Sequence, residues 1–556
     1  MRLLPVAVTV GFSGPCRWLS EKDYPDPKTA AAVATEFQEA AREWLVERLQ
    51  KIPAELGLAE HHFLAGISQI AVGGDHAFTE ACQELNIPQL ISLPQPSDVF
   101  LTAAGSSGPD FTENEKKKAL SLLASPHIIQ ETVASGAATR NERFEETNIE
   151  LIRQSDVIIA MLKPTGGTWT RDVVKRAKRW GIPVLEVTVN IENGKPCFTG
   201  KWNGEDEKLA DGFKAPTLPE VLANVTLDDN SAIPHSIPAK HAYFTKVKNH
   251  CSDESSRHNK FFQDSAWRII SMHFYASACA VLSLVLLYPY FIPGAYYPTL
   301  AVILALEIIF LIRGFRRHRI HHKKEAGALW AMNRLLSEVA RSVLAFGQYH
   351  VGFDHLWQLN LPDESRHLLR TMEILQLRET RLQTCADWKD CRTAYLQKRL
   401  IGQSPDFKTR RKEKNAQINY YRNEFTSAKK NYHFAHKVFT IASLSAIAAT
   451  FLKFSLVALI CCNDHFHPDV FKAILGFLGV ILPVVAVAAL SLAAAKDLEA
   501  RSHTFQEMRR FLIRQAKLIE NAASEREFAK LLHETESRLL GETVTWFSRR
   551  TFTGIA

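Results

Sequence analysis

Residues 269–292, IISMHFYASACAVLSLVLLYPYFI, contain no charged side chain. As a helix rising 1.5 Å per residue this stretch is about 36 Å long, more than the roughly 30 Å hydrocarbon core of a bilayer. A segment of this kind constrains the fold more than any other feature of the chain, and it reads as a spanning helix. Pro293 and Gly294 then turn the chain, and residues 296–312 return with one charge, Glu307. A second pair follows at 438–462 and 470–495, joined by the short segment NDHFHPD. Four spans in two hairpins are expected.

Orientation follows from the cations. Arg313 to Lys324 (RGFRRHRIHHKK) follow the second span, Lys429, Lys430 and Lys437 precede the third, and Lys496, Arg501, Arg509 and Arg510 follow the fourth, whereas neither hairpin tip holds Lys or Arg. Lys and Arg accumulate on the cytoplasmic side, so both termini and the section 314–434 are expected in the cytoplasm. The net charge of +8, from 67 Lys+Arg against 59 Asp+Glu, is concentrated beside the apolar spans, and the lipid bilayer rather than a nucleic acid polymer is the partner it implies. The nine cysteines form no CxxC pair and no His/Cys spacing suited to zinc, so no disulfide framework and no metal site are expected. The N-terminal apolar stretch is too short for a signal peptide and reads as a first buried strand.

At 556 residues the chain exceeds one compact core. Before residue 240, apolar runs at 5–10, 63–72, 89–93, 127–132, 156–162 and 184–189 alternate with helical patterns at 29–52, 76–85 and 171–180. Continuous apolar runs are strands buried on both faces, and their alternation with helices predicts a Rossmann-like α/β fold with a mostly parallel sheet. Ligands of such sheets bind beyond the carboxyl ends of the strands. The residues there are Gly11, Ser13, Gly14, Cys16 and Arg17 after the first run, Gly73, Gly74 and Asp75 after the second, and Gly166, Gly167, Thr168 and Arg171 after the fifth. Glycines let backbone N–H groups approach an anion, and a following helix N-terminus adds partial positive charge. The alternative is that strand-to-helix turns need glycine for their own geometry. Arg140 and Arg143 read either as forked donors for phosphate or as a helix face paired with Glu142, Glu145 and Glu146.

The segments VGFSGPCRW, IAVGGDHAFTEACQELNIPQLISLP and ATRNERFEETNIELIRQSDVIIAMLKPTGGTWTRDVVKRAKRWGIPVLEVTV resemble the SLOG domain, the nucleotide-binding fold of DprA-like and LOG proteins, over roughly residues 4–190. The resemblance implies binding of a nucleotide-derived second messenger, such as a cyclic oligonucleotide or an ADP-ribose derivative, at this sheet edge, with Arg140 as a contact. LOG hydrolases carry PGGxGTxxE, whereas Gly166, Gly167 and Thr168 are followed here by Trp169, Thr170, Arg171 and Asp172 with no Glu in register. A binding domain is therefore expected rather than an enzyme, with Asp172 read as a salt-bridged helix-start residue. Further on, TAYLQKRLIGQSPDFKTRRKEKNAQINYYRNEFTSAKKNYHFAHKVF and the two spans after it resemble the SLATT family, a two-span effector found with SLOG domains in bacterial conflict systems, over roughly 390–550.

The expected organisation is a sensor domain at 1–235, a linker at 236–268, a transmembrane hairpin at 269–313, a cytoplasmic helical connector at 314–437, a second hairpin at 438–495 and C-terminal cytoplasmic helices at 496–556. Lys453 and Glu307 are charges well inside spans, hence candidates for a pore, a gate or a mutual pair. Small residues in the third and fourth spans suit close packing, within one copy or in a homo-oligomer. His318, His321 and His322 read as juxtamembrane positions near anionic lipid, and His465 and His467 as parts of a polar tip. The function expected from the family pairing is an effector in the bacterial inner membrane, triggered by a messenger in antiphage defence and acting by membrane disruption or pore formation. The alternatives are a tethered LOG-like nucleotide N-glycosidase and a constitutive channel with a regulatory domain.

Overall fold

The computed structural model describes residues 2–18, 27–105, 108–133, 136–163, 168–192, 195–203, 213–227, 234–286, 296–323, 325–346, 349, 354–358, 361–382, 387–403, 416–462 and 469–553. The chain divides into two compact units, Met1–Val247 with Phe346–Ala386, and Lys248–Ala345 with Asp387–Ala556. The main strands are β1 (Val6–Ser13), β2 (His62–Ser68), β3 (Gln89–Leu93), β4 (Ile128–Val133), β5 (Val157–Leu162), β6 (Val184–Glu192) and β7 (Lys195–Trp202). The principal helices are α1 (Pro27–Glu55), α2 (Gly74–Glu84), α3 (Glu113–Leu123), α4 (Arg140–Gln154), α5 (Thr168–Arg179), α6 (Lys240–Leu286), α7 (Tyr296–Lys323), α8 (Ala326–Phe346), α9 (Arg366–Leu382), α10 (Trp388–Tyr395), α11 (Gln417–Cys462), α12 (Asp469–Ala495), α13 (Leu498–Glu520) and α14 (Glu525–Thr553).

The seven strands lie in the order β7-β6-β5-β1-β2-β3-β4, parallel except for the β6–β7 pair. Val8, Val10 and Phe12 of β1 pack with Leu45, Leu49 and Ile52 of α1 and Phe78 of α2 on one face. Ile67 and Ile158 pack with Leu151 of α4 and Val173 and Ala177 of α5 on the other, which makes the sheet doubly wound. All six expected strands are present. The seventh, β7, escapes a search for apolar runs because KPCFTGKW is a half-exposed edge strand.

Two expected boundaries differ. The segment 236–268, expected as a linker, is helical, since α6 runs unbroken from Lys240 to Leu286. Its early part buries Tyr243, Val247, Cys251 and Ser255, a four-residue spacing that lays one stripe along a helix. Helix α9, expected within the connector, belongs to the α/β unit. The cause lies in β1. Strand β5 pairs with β1 only from Val10 to Ser13, so the N–H groups of Ala7 and Thr9 on that side lack a strand partner. Ala7 N donates to Thr371 Oγ1 of α9 (3.0 Å) and Thr9 N to Asp156 Oδ2 (2.8 Å), while Arg370 of α9 stands 3.7 Å from Asp156. A buried N–H left unsatisfied costs about 1–3 kcal/mol, so α9 completes the sheet.

In the helical unit, among the described residues, three helical stretches are long and apolar enough to cross a membrane, within Pro298–Phe346, Gln417–Ala458 and Val470–Glu520. No more than 17% of the apolar window in each is buried, so few residues of these windows are covered within the chain. Of the remaining expected span, residues 269–286 end α6 and residues 287–292 lie outside the described residues. Helices α11 and α12 form a hairpin in which Ala449, Leu456 and Leu475 pack together, and Ala442, Ala446, Ala486 and Ala493 are also buried. Close helix packing explains these small residues.

Among its buried apolar residues this unit also holds buried charges. Arg399, in a π-helical turn after α10, donates from Nε and Nη2 to the two oxygens of Glu536 on α14 (3.0 and 2.9 Å). Tyr395 Oη donates to the same carboxylate (2.6 Å), and Glu338 of α8 stands 3.7 Å from Arg399. Tyr421 Oη donates to Glu542 (3.3 Å), near Arg334, whose guanidinium covers the Trp546 ring at 4.3 Å. Glu536, foremost among its charged neighbours, holds the Arg399 guanidinium above its ordinary range despite burial.

Candidate functional site

The order β5-β1-β2 places a topological switch point beside β1, because the chain leaves β1 towards β2 and later returns on its other side as β5. The crevice beyond the carboxyl ends of β1 and β5 is where such a sheet receives a ligand. Ser13, the last residue of β1, donates from Oγ to Thr170 Oγ1 in the first turn of α5 (3.3 Å), and Thr170 Oγ1 donates to the Gly14 carbonyl (3.3 Å). Arg171 donates to the Lys163 carbonyl (2.9 Å) and so braces the two ends of the turn between β5 and α5. Gly166 and Gly167, expected at this turn, lie outside the described residues. Thr168 opens α5 and is exposed.

The loop after β1 rests on the start of α2. A Cβ at Gly74 would come within 2.9 Å of Gly14 Cα, and one at Gly73, where φ is +98°, within 2.7 Å of the Pro15 carbonyl oxygen. Gly74 N donates to that carbonyl (3.0 Å), so its N–H is spent on the protein. These three glycines let the chain approach itself. Gly11 lies inside β1, where a Cβ would overlap Ser155 Oγ, and its role is packing in the sheet.

Around this contact the polar groups converge. Arg17 donates to the Asp110 carbonyl (3.2 Å) and to Glu115 (3.3 Å) at the start of α3, and Arg140 at the start of α4 pairs with Asp110 Oδ2 (2.6 Å). The Arg140 guanidinium covers the Phe144 ring at 5.6 Å, and Phe144 lies 6.2 Å from Trp169, which is 44% exposed. Arg17, Asp75, Asp110 and Glu115 all act electrostatically on the exposed Cys16 thiol. Asp75 itself is buried in the first turn of α2 and accepts from Ala71 N (3.1 Å); burial pushes its carboxyl up to about 7. Next to it, burial holds the His76 imidazole down at about 4.

The structure therefore brings Ser13, Gly14, Arg17, Gly73, Gly74, Asp75, Arg140, Thr168 and Arg171 to one edge. Asp110, Phe144 and Trp169 join them without having been expected as contacts. For Trp169 the signal was its place directly after the GGT turn, an aromatic at the mouth of a helix N-terminus. Arg140 pairs with Asp110, while Glu142 closes a capping box with Thr139 and Glu145 pairs with Arg176. Asp172 is salt-bridged, to Arg176 (2.7 Å). Several helix N-termini, exposed guanidinium groups and a solvent-facing indole suit a small anion that carries an aromatic base.

The two intramembrane candidates stand apart. A Cβ at Gly476 of α12 would meet Lys453 Nζ at 3.2 Å, so the Lys453 ammonium lies over a bare patch of α12. Glu307 acts on the Cys279 thiol of α6. Among the described residues no ion pair joins them. His465 and His467 lie outside the described residues. The His321 ring stacks on Phe261 and tilts over Phe262, and Arg317 covers Phe261, an aromatic bridge from α7 to α6.

The chain matches no protein-family model, and no curated protein matches its sequence.

Proposed function

We propose that the chain is a ligand-gated membrane effector of a bacterial antiphage system, in which a SLOG-like α/β unit senses a nucleotide-derived messenger and SLATT-like spans permeabilise the inner membrane. In this reading four spans form two hairpins, both termini are cytoplasmic, and the effector acts as a homo-oligomer. One observation carries the reading. The edge where Arg17, Asp110, Arg140, Phe144 and Trp169 meet belongs to the same chain as helices long and apolar enough to cross a membrane, with few residues of their apolar windows buried. A soluble sensor has no use for such helices, and a plain channel has no use for such an edge.

The glycosidase reading needs a free carboxylate after the GGT turn, and Asp172 is engaged by Arg176. The test is a thermal-shift screen of the full-length protein in detergent against ADP-ribose and a panel of cyclic di- and trinucleotides. A ligand at this edge raises the melting temperature by mass action and raises it less in Arg140→Gln. Base release from any of these compounds, or no shift with all of them, overturns the reading.

A further inference from the structure

Lys453 and Glu307 are opposite charges on two helices of the same unit, and each lacks an ionic partner among the described residues. Lys453 shares the seam face of α11 with the buried Ala442, Ala446 and Ala449 and is itself half-buried. Glu307 lies on the face of α7 that also carries Ile303, Phe310 and Gly314; the Phe310 ring tilts against Tyr275 of α6, and a Cβ at Gly314 would meet His273. Each charge thus sits in the groove between the two helices of its own hairpin. Such charges inside lipid face protein or water.

Their depths agree. Counted from the tip-side ends of the spans expected from the sequence, at 296–312 and 438–462, Glu307 is about 17 Å and Lys453 about 14 Å deep at 1.5 Å per residue. Side chains on a helix lean towards its N-terminus. Glu307 therefore leans towards the tips and Lys453 towards the cytoplasm, which closes the small difference in depth.

We propose that Lys453 of one copy pairs with Glu307 of a second copy inside the bilayer, hairpin groove against hairpin groove. The occupant is another copy because, among the described residues, a single chain gives neither charge an ionic partner and buries few residues of its apolar spans, while the second copy supplies the opposite charge at the matching depth. Pairing of this kind fixes which helices meet and at what height, as a buried polar group does in other helix assemblies. The proposal rests on the membrane topology of the effector reading but needs no messenger.

The test uses the full-length protein in liposomes with dicyclohexylcarbodiimide, an apolar reagent that joins a carboxylate to a neighbouring amine. Denaturing electrophoresis separates covalent dimer from monomer, and peptide mass spectrometry locates the link. An amide between Glu307 and Lys453 is expected in the dimer band. It should fall to background in Glu307→Lys and in Lys453→Glu, and return in the double variant that exchanges the two charges. The link found only in the monomer band, or Glu307 carrying the reagent's acylurea with no link to Lys453, overturns the proposal. Because no nucleotide is present, a missing link leaves ligand-gated leakage standing, and an ungated membrane leaves the pair standing.

Discussion

Arg140 and Arg399 each hold a carboxylate, in surroundings that share little. The Arg140–Asp110 pair at the sheet edge keeps 43% and 25% of its two side chains in solvent, whereas Arg399 and Glu536 in the helical unit keep 3% and 0%. Water competes for the first pair, so it adds little to stability and its guanidinium can be taken over by an incoming anion. The second pair has left water altogether and holds α10, α14 and α8 through one carboxylate and its neighbours. Charge at the edge of the α/β unit stays in contact with water. In the helical unit the same chemistry serves as structure.

That contrast is open to attack at both ends. Arg399→Met strands the Glu536 carboxylate without its counter-charge and is expected to cost about 3–5 kcal/mol, read by denaturation of the full-length protein in detergent. Arg399→Met with Glu536→Leu should regain much of that loss, since an apolar pair has no charge to desolvate. Should Arg399→Met be as mild as a change at the sheet edge, the contrast fails. Next in size is Thr371→Val, which removes the acceptor for Ala7 N and should cost about 1–3 kcal/mol, with loss of protection from hydrogen exchange at Ala7.

Asp75 and His76 sharpen the picture of the edge through pH. Between about pH 4 and 7 the folded chain keeps a proton on Asp75 that the unfolded chain has released, so this group's contribution to stability falls as pH rises. His76 works the other way: below about pH 6.5 the unfolded chain takes up a proton that the folded chain refuses, so stability falls as pH drops towards 4. Asp75→Asn should therefore gain stability relative to the parent as pH rises through this window, by at most about 1.4 kcal/mol per pH unit, and His76→Gln should lose it. Denaturant melts at several pH values give the slopes, and parallel curves for parent and variants would remove both groups from the account. The smallest stability effect is expected at Arg140→Gln, under about 1 kcal/mol, with ligand affinity falling roughly ten- to hundredfold.

Most of the α/β fold was legible because strands buried on both faces are continuous apolar runs, as in β1 and β5. What stayed hidden depended on partners distant in sequence. Helix α9 belongs to the sheet through Thr371 and Ala7, and the acceptor a bare strand N–H will find leaves no trace in hydropathy. Ser13, Arg17 and Arg171 could be placed at this edge because the topology sends whatever follows a parallel strand there, whereas Arg140 was expected there only from the resemblance. Asp110 was not, since its importance comes from standing between Arg17 and Arg140. Gly14, Gly73 and Gly74 were read for ligand approach and prove to be needed where two loops touch. The Arg399–Glu536 pair joins residues far apart in the chain, and no local spacing announces it.

The central claim is that binding at the α/β edge changes what the apolar helices do in a membrane. Dye release from liposomes carrying the full-length protein measures it directly, with and without the nucleotide probe that raises the melting temperature most. Release that rises with the probe in the parent protein, and needs a proportionately higher probe concentration in Arg140→Gln, is the predicted result. Equal release with and without the probe would contradict the account.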